Sequence, residues 1–336
     1  MAMQAMQRQS GEERKRPWYR FSLRALLVAF TVVAVLLGAV GFKLHRIRHR
    51  RDLVASIERD GGWVRYRHHF DEYGNDRQVP YSRTESGEIV FHYPPPGPSF
   101  LRRALGEDAF FVLTQAAIKG VSADQLRALS AYSSLEVLSC EDTRFSDEDA
   151  IAFLPRFPRL RVLMLNGTDV TDRAMGAIGR IETLTDLHLE RTDITDHGVF
   201  KLGRPTEFEF ISLADTEITD ASVPVIARMK CLKRLNLGGT RITDDSIPEL
   251  AGLPLVGWLD LNDTRISDTG VAQLTGLKNL VSLDLSGTRV TDAGILQFAP
   301  ARRLYYLDLR RTGVSDEAIR QLEQRMPDLT VISDDD

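Results

Sequence analysis

A threonine recurs through this chain at a fixed interval: Thr143, Thr168, Thr192, Thr216, Thr240, Thr264, Thr288 and Thr312. The first spacing is 25 residues and the next six are 24. A unit this small cannot bury its own apolar face, so it has to stack on copies of itself. Eight positions before the threonines stand Leu135, Leu160, Leu184, Phe208, Leu232, Val256, Leu280 and Leu304. Two positions after them stand Phe145, Val170, Ile194, Ile218, Ile242, Ile266, Val290 and Val314. A serine or threonine follows, then Asp147, Asp172, Asp196, Asp220, Asp244, Asp268, Asp292 or Asp316.

The unit reads L-x-x-L-x-L-x-x-T-x-I-[ST]-D and then turns helical. L-x-L alternates with period two, which predicts a short strand with one buried face. The Ser/Thr is expected to cap a helix through its hydroxyl, at about 1 kcal/mol per cap, and the aspartate beside it to favour the helix's positive end. Pro224 and Pro248 move the expected helix start toward Ser222 and Ser246. The expected fold is α/β: a solenoid with parallel strands on its concave side and helices on its convex side. Lys119 replaces the threonine in a degenerate preceding unit, with Val121-Ser122 after it and Phe111, Thr114 and Ala116 in place of leucines. Leu329 to Ile332 reads as a closing strand and Asp334 to Asp336 as a frayed tail.

Charge is split along the chain. Residues 1–51 hold 11 Lys/Arg against 2 acids, and the remainder 32 against 45, so a +9 end adjoins a −13 body. The acidic body argues against nucleic acid, which needs a basic footprint. Ala25 to Phe42 carries no charge and, with Phe21 and Leu23, reaches the ~20 residues a bilayer core requires. Lys43, Arg46, Arg48, Arg50 and Arg51 follow at once, which suits an uncleaved anchor better than a cleavable signal. Six Lys/Arg lie on either side, so the positive-inside count ties. A short cationic N-terminus favours placing the C-terminal domain on the non-cytoplasmic side.

Here the pattern resembles the leucine-rich-repeat class whose eukaryotic members carry cysteine at the threonine position. It is more similar still to the membrane-anchored leucine-rich-repeat proteins of planctomycete-type bacteria. The shared marks are Arg20-Phe21-Ser22-Leu23-Arg24 before the span, Gly61-Gly62 before a strand, Pro96-Gly97-Pro98 before Leu101-Arg102-Arg103, and Leu105-Gly106-Glu107-Asp108 before Phe110. The resemblance implies the horseshoe fold and the anchor, and no enzymatic activity.

The expected organisation follows. Residues 1–20 form a basic tail and 21–42 the transmembrane helix. Residues 43–98 hold a juxtamembrane helix, a small strand pair (Trp63 to Phe70 with Ile89 to Tyr93) and a proline-rich linker. A capping helix over Phe100 to Leu105 and the degenerate repeat occupy 99–134, eight repeats 135–328, and the closing strand and acidic tail 329–336. Cys140 and Cys231 fall almost four rungs apart, roughly 15–20 Å at a strand spacing of ~4.8 Å, too far for a disulfide, and read as small buried residues. His68, His69 and His92 are not expected to form a metal site, because adjacent strand residues face opposite ways. Nor is calcium expected at the aspartate column, which the helix caps account for.

Function is expected on the strand face. Outward columns run through Phe210, Arg234, Trp258 and Tyr306, and through Asp260, Asp284 and Asp308. Aromatics and arginine are the residue types that carry binding energy at interfaces. Like charges ~5 Å apart repel, so three stacked aspartates suggest a basic or mixed-charge protein segment opposite them. No phosphate loop, metal-ligand spacing or nucleophile motif is present, so neither enzyme nor cofactor is expected. The expected role is a membrane-anchored receptor or scaffold that contacts lipid through its span. A self-associating structural protein of the cell envelope is the alternative.

Overall fold

The computed structural model describes residues 23–68, 77–78, 81–83, 89–91, 112–120, 122–203, 207–297 and 303–334. The proline-rich linker, the expected helix over Phe100 to Leu105, Phe111, His69 and His92 lie outside them. The chain divides into two units, Met1–His49 and Arg50–Asp336.

Most of the first unit is helix α1 (Leu23–Arg59), which ends in the second. Phe30, Val32, Val33, Val35, Leu37 and Phe42 on it are exposed, and α1 is long and apolar enough to cross a membrane. Its last turns behave differently: Leu53, Val54 and Ile57 are buried in the core of the second unit. Gly61 stops the helix in a left-handed conformation (φ +82°). The Gly62 N–H then returns to the Ile57 carbonyl at 2.9 Å. A Cβ at Gly62 would collide with the Ala117 carbonyl, so Gly61 is required by conformation and Gly62 by packing.

Next come β1 (Trp63–His68), β2 (Arg77–Gln78), β3 (Tyr81–Arg83), β4 (Ile89–Phe91) and β5 (Val112–Ala117). Then β6 to β14 follow as Val137–Ser139, Val162–Met164, Asp186–His188, Phe210–Ser212, Arg234–Asn236, Trp258–Asp260, Ser282–Asp284, Tyr306–Asp308 and Thr330–Ile332. From β5 to β14 the strands lie parallel in chain order, the arrangement expected from the repeats. Each central residue, such as Leu138, Leu163 or Leu259, is buried against the helical side.

One strand pairing corrects the sequence reading. β4 pairs with β3 (Tyr81↔Phe91), whereas β1 lies antiparallel to β5 (Trp63↔Ala117, Val64↔Ala116) and to β2. The reason is the open edge of the first solenoid strand, whose free N–H and C=O groups need partners.

The repeated threonines from Thr143 to Thr288 are buried, and Thr312 is partly so. Each hydroxyl donates to the carbonyl three residues back, as Thr192 does to Leu189 and Thr264 to Leu261, both at 2.6 Å. The residue before the threonine is left-handed throughout: Asp142, Gly167, Arg191, Asp215, Gly239, Asp263, Gly287 and Arg311. Short helices follow, and Ser146, Thr195, Thr219, Thr243, Ser267 and Ser315 accept backbone N–H groups at their starts, the expected caps. At Pro224 and Pro248 a 3-10 turn comes first and the α-helices begin at Val223 and Ile247.

The aspartate column does more than the helix-end role expected of it. Each carboxylate from Asp147 to Asp292 accepts two hydrogen bonds from the capping residue of the next unit. The N–H bonds to Thr171, Thr195, Thr219, Thr243, Ser267, Thr291 and Ser315 span 2.6–2.9 Å. The hydroxyl bonds span 2.5–2.8 Å. Ser222 and Ser246 donate a third bond, to Asp196 and Asp220, instead of capping. The exception explains the rule: Ala123 stands where Ser146 would find its aspartate, and Ser146 turns to its own Asp149 in a capping box. At the far end, among the described residues, the Arg311 N–H meets no carbonyl of a later unit. The Asp334 carboxylate takes it at 2.8 and 3.0 Å, so Asp334 closes the sheet and is not frayed.

Candidate functional site on the strand face

The side chains flanking each buried strand centre form the solvent face of the sheet, and the structure treats the expected binding residues unequally. Trp258 is 59% exposed. Phe210 is half-buried, with the His188 ring edge-on at 4.5 Å and the Arg234 guanidinium over its face at 4.5 Å. Arg234 also reaches past Phe210 to Asp186 at 3.0 Å. Burial pulls the His188 pKa below its ordinary value against the upward pull of Glu190, Glu141 and Asp186. Asp186, His188, Phe210 and Arg234 therefore form a closed cluster whose groups satisfy one another.

The three-acid ladder also divides. Register places Asp260 beside Asp284 and Asp284 beside Asp308. Each accepts the N–H two residues on, from Asn262 at 3.0 Å, Ser286 at 2.8 Å and Arg310 at 3.1 Å, and so closes the turn after its strand. Asp308 is only 1% exposed and is gripped by Arg310, Nε at 3.0 and 3.1 Å and a terminal nitrogen at 2.6 Å. That corrects the reading of Asp308 as an outward charge: its neutralising arginine lies on top of it. Tyr306, half-buried beside it, has its hydroxyl pKa raised, first by burial and then by Asp308.

Asp260 and Asp284 have no lysine or arginine within ion-pair distance among the described residues. Burial pushes the Asp260 carboxyl up to about 6; the Asn262 N–H opposes this, and the charges of Asp284, Glu190 and Asp308 add to it. The accessible part of the site is thus an exposed indole beside an uncompensated pair of carboxyls.

Sequence reasoning missed three further exposed residues, Leu255, Val281 and Tyr305, at 46%, 36% and 60%. They lie at the entry to the strands. The column just before each strand reads Glu136, Arg161, Thr185, Glu209, Lys233, Gly257, Val281 and Tyr305. Its change from charged to apolar at Gly257 was the available signal.

Other chemistry-bearing groups are accounted for locally. Cys140 and Cys231 are both free. Cys140 fills a buried leucine position, where burial pushes its thiol pKa upward, and Cys231 is only half-buried. Among the described residues, no three His, Cys, Asp or Glu side chains are grouped to hold a metal.

A family profile described as "Leucine Rich repeat" matches residues 181–203, 228–251 and 276–299. No curated protein matches the chain. An internalin of Listeria monocytogenes is 21% identical over 62% of this chain and 69% of its own, with a TM-score of 0.45. A leucine-rich-repeat protein of Leptospira interrogans is 19% identical over 64% of this chain and 58% of its own, also at 0.45. Internalin C2 of Listeria monocytogenes is 19% identical over 67% and 81%, at 0.42. The fold is a leucine-rich-repeat solenoid, an architecture that usually serves as a non-enzymatic scaffold binding other proteins.

Proposed function

We propose that this chain is a membrane-anchored receptor or scaffold that binds a basic or mixed-charge protein segment on the C-terminal half of its strand face. The observation that carries the proposal is the exposed Trp258 two residues from Asp260, with Asp284 beside it and no cation on either acid among the described residues. A large exposed aromatic next to unpaired carboxyls costs the free protein stability and serves a partner that brings a cation. Phe210, Arg234, Tyr306 and Asp308 hold the surrounding surface in shape. The exposed apolar stretch of α1 supports the anchor, in contact with lipid, and the short cationic tail before it supports a solenoid on the non-cytoplasmic side.

The test is crosslinking of the full-length protein in intact cells, with captured proteins compared between wild type and a Trp258→Ala, Asp284→Asn variant. Asparagine keeps the acceptor for the Ser286 N–H and removes only the charge. The reading predicts specific partners that the variant loses. Identical capture by both forms sinks it. Protease added outside intact cells should cleave the solenoid; protection overturns the topology alone.

A further inference from the structure

Leu255, Val281 and Tyr305 extend the Trp258 surface around the entry edge of the last repeats. The backbones of Gly257, Val281 and Tyr305 are locked side by side: the Val281 N–H bonds the Gly257 carbonyl at 2.7 Å, and the Tyr305 N–H bonds the Val281 carbonyl at 2.8 Å. Gly257 adds no side chain to this column, and a Cβ there would already meet the Asn279 carbonyl at 3.3 Å, so the strand entry beside Trp258 is flat. Earlier in the same column Glu209 and Lys233 pair at 2.8 Å, so the rim is self-satisfied up to Lys233 and apolar beyond it. Inward from the apolar rim stand Asp260 and Asp284. The nearby cations are committed elsewhere, Arg234 to Asp186 and Arg310 to Asp308.

We propose that the rim of Leu255, Trp258, Val281 and Tyr305 docks an extended protein segment carrying an aliphatic or aromatic side chain two residues from a lysine or arginine. The apolar side chain packs on the exposed Trp258, Val281 and Tyr305 side chains, and the cation passes the Trp258 indole to Asp260 and Asp284. This rests on the strand-face reading of the preceding subsection and adds the partner's motif. Geometry sets the spacing. Trp258 and Asp260 lie two apart on one strand, so their side chains leave the same face roughly 7 Å apart. Alternate residues of an extended partner have the same separation. Charge selects the cation, since two carboxyls stacked in register repel until a positive group lies against them. The indole face adds a cation–π contact on the way.

The experiment is a random-peptide display selection on full-length protein in lipid nanodiscs, followed by affinity measurement on the enriched peptides. It is run on wild type, on a rim variant (Leu255→Ser, Val281→Ser, Tyr305→Ser) and on a charge variant (Asp260→Asn, Asp284→Asn). All three rim side chains are exposed, and asparagine keeps both turn acceptors, so the variants retain the fold. Wild type should enrich a cation two residues from an apolar side chain, and each variant should weaken such peptides at least tenfold. Rim-variant affinities equal to wild type, with the charge variant weakened, overturn the rim proposal and leave the strand-face reading standing. Equal affinities in all three overturn both, and enrichment lacking the cation–apolar pair overturns the motif.

Discussion

The Arg311 guanidinium reaches across an entire repeat to the Asp263 carboxylate, with hydrogen bonds of 2.8 and 3.0 Å. The residue it crosses is Gly287, left-handed at φ +66°, where a Cβ would strike the Asp263 carboxylate. Arg191 reaches Asp142 at 3.1 Å across Gly167 in the same way. The glycine serves both conformation and clearance. Gly287→Ala should destabilise the fold by about 1–3 kcal/mol through left-handed strain and the clash. Thermal unfolding of the full chain checks this, and an added Asp263→Ala should recover part of the loss. A strictly additive double variant would refute the clearance role.

The aspartate ladder predicts a positional contrast between chemically identical substitutions. Asp196 holds the Thr219 N–H at 2.8 Å and its hydroxyl at 2.7 Å, with Ser222 as a third donor. Asp316 occupies the same place in the unit after Asp292, and among the described residues no later cap donates to it. Asp196→Ala should cost about 2–3 kcal/mol, the scale of lost bonds to a charged group. Asp316→Ala should cost under about 1 kcal/mol, a helix-end effect. Equal losses in urea titration would mean that the aspartates act only on their own helices.

Two carboxyls should give stability opposite pH dependences. Burial would raise the Asp220 pKa, but hydrogen bonds from Ser246 and Thr243 outweigh it and hold the carboxyl below its ordinary value. Its contribution is therefore present above the unfolded-state pKa of about 3.9 and fades as pH falls toward the folded value. Asp260, raised to about 6, keeps its proton longer in the folded chain and makes the fold lose stability as pH climbs from about 4 to 6. Asp220→Asn should flatten the acid limb of a stability–pH curve. Asp260→Asn should stabilise the protein above pH 6 and do little at pH 4. Parallel shifts at every pH would contradict both assignments.

Arg310 is the cover of a buried charge. Removing it leaves Asp308, 1% exposed, without its cation, so Arg310→Ala should lower the unfolding midpoint. Lysine should restore little, because the grip uses the side of a planar guanidinium. Unfolding midpoints of the two variants and of Arg310→Ala with Asp308→Asn decide it; the double variant should be milder than Arg310→Ala alone.

Much of the fold could be read one unit at a time. Leu138 faces inward and Val137 outward because a strand alternates, Ile194 is buried because the chain turns after Thr192, and Thr219 caps because a hydroxyl there meets free N–H groups. These outcomes depend on neighbours a few residues away, and the strict period copied them through the solenoid. The prominence of Trp258 was legible for the same reason.

What tertiary structure alone decided are relations between units. Asp196 reads as a helix-end charge until the next cap is placed 23 residues later against both its oxygens. Asp260 and Asp308 look alike along the chain, yet one is left without a cation and the other sealed, because only the last repeat carries an arginine two positions on. β1 chose β5 over β4 because stacking leaves one strand edge open, a condition that no local pattern contains. Periodicity specifies what each residue does within its own turn of chain. The partner of a charge or a strand edge is set by which groups stacking brings together and by the cost of leaving them unpaired.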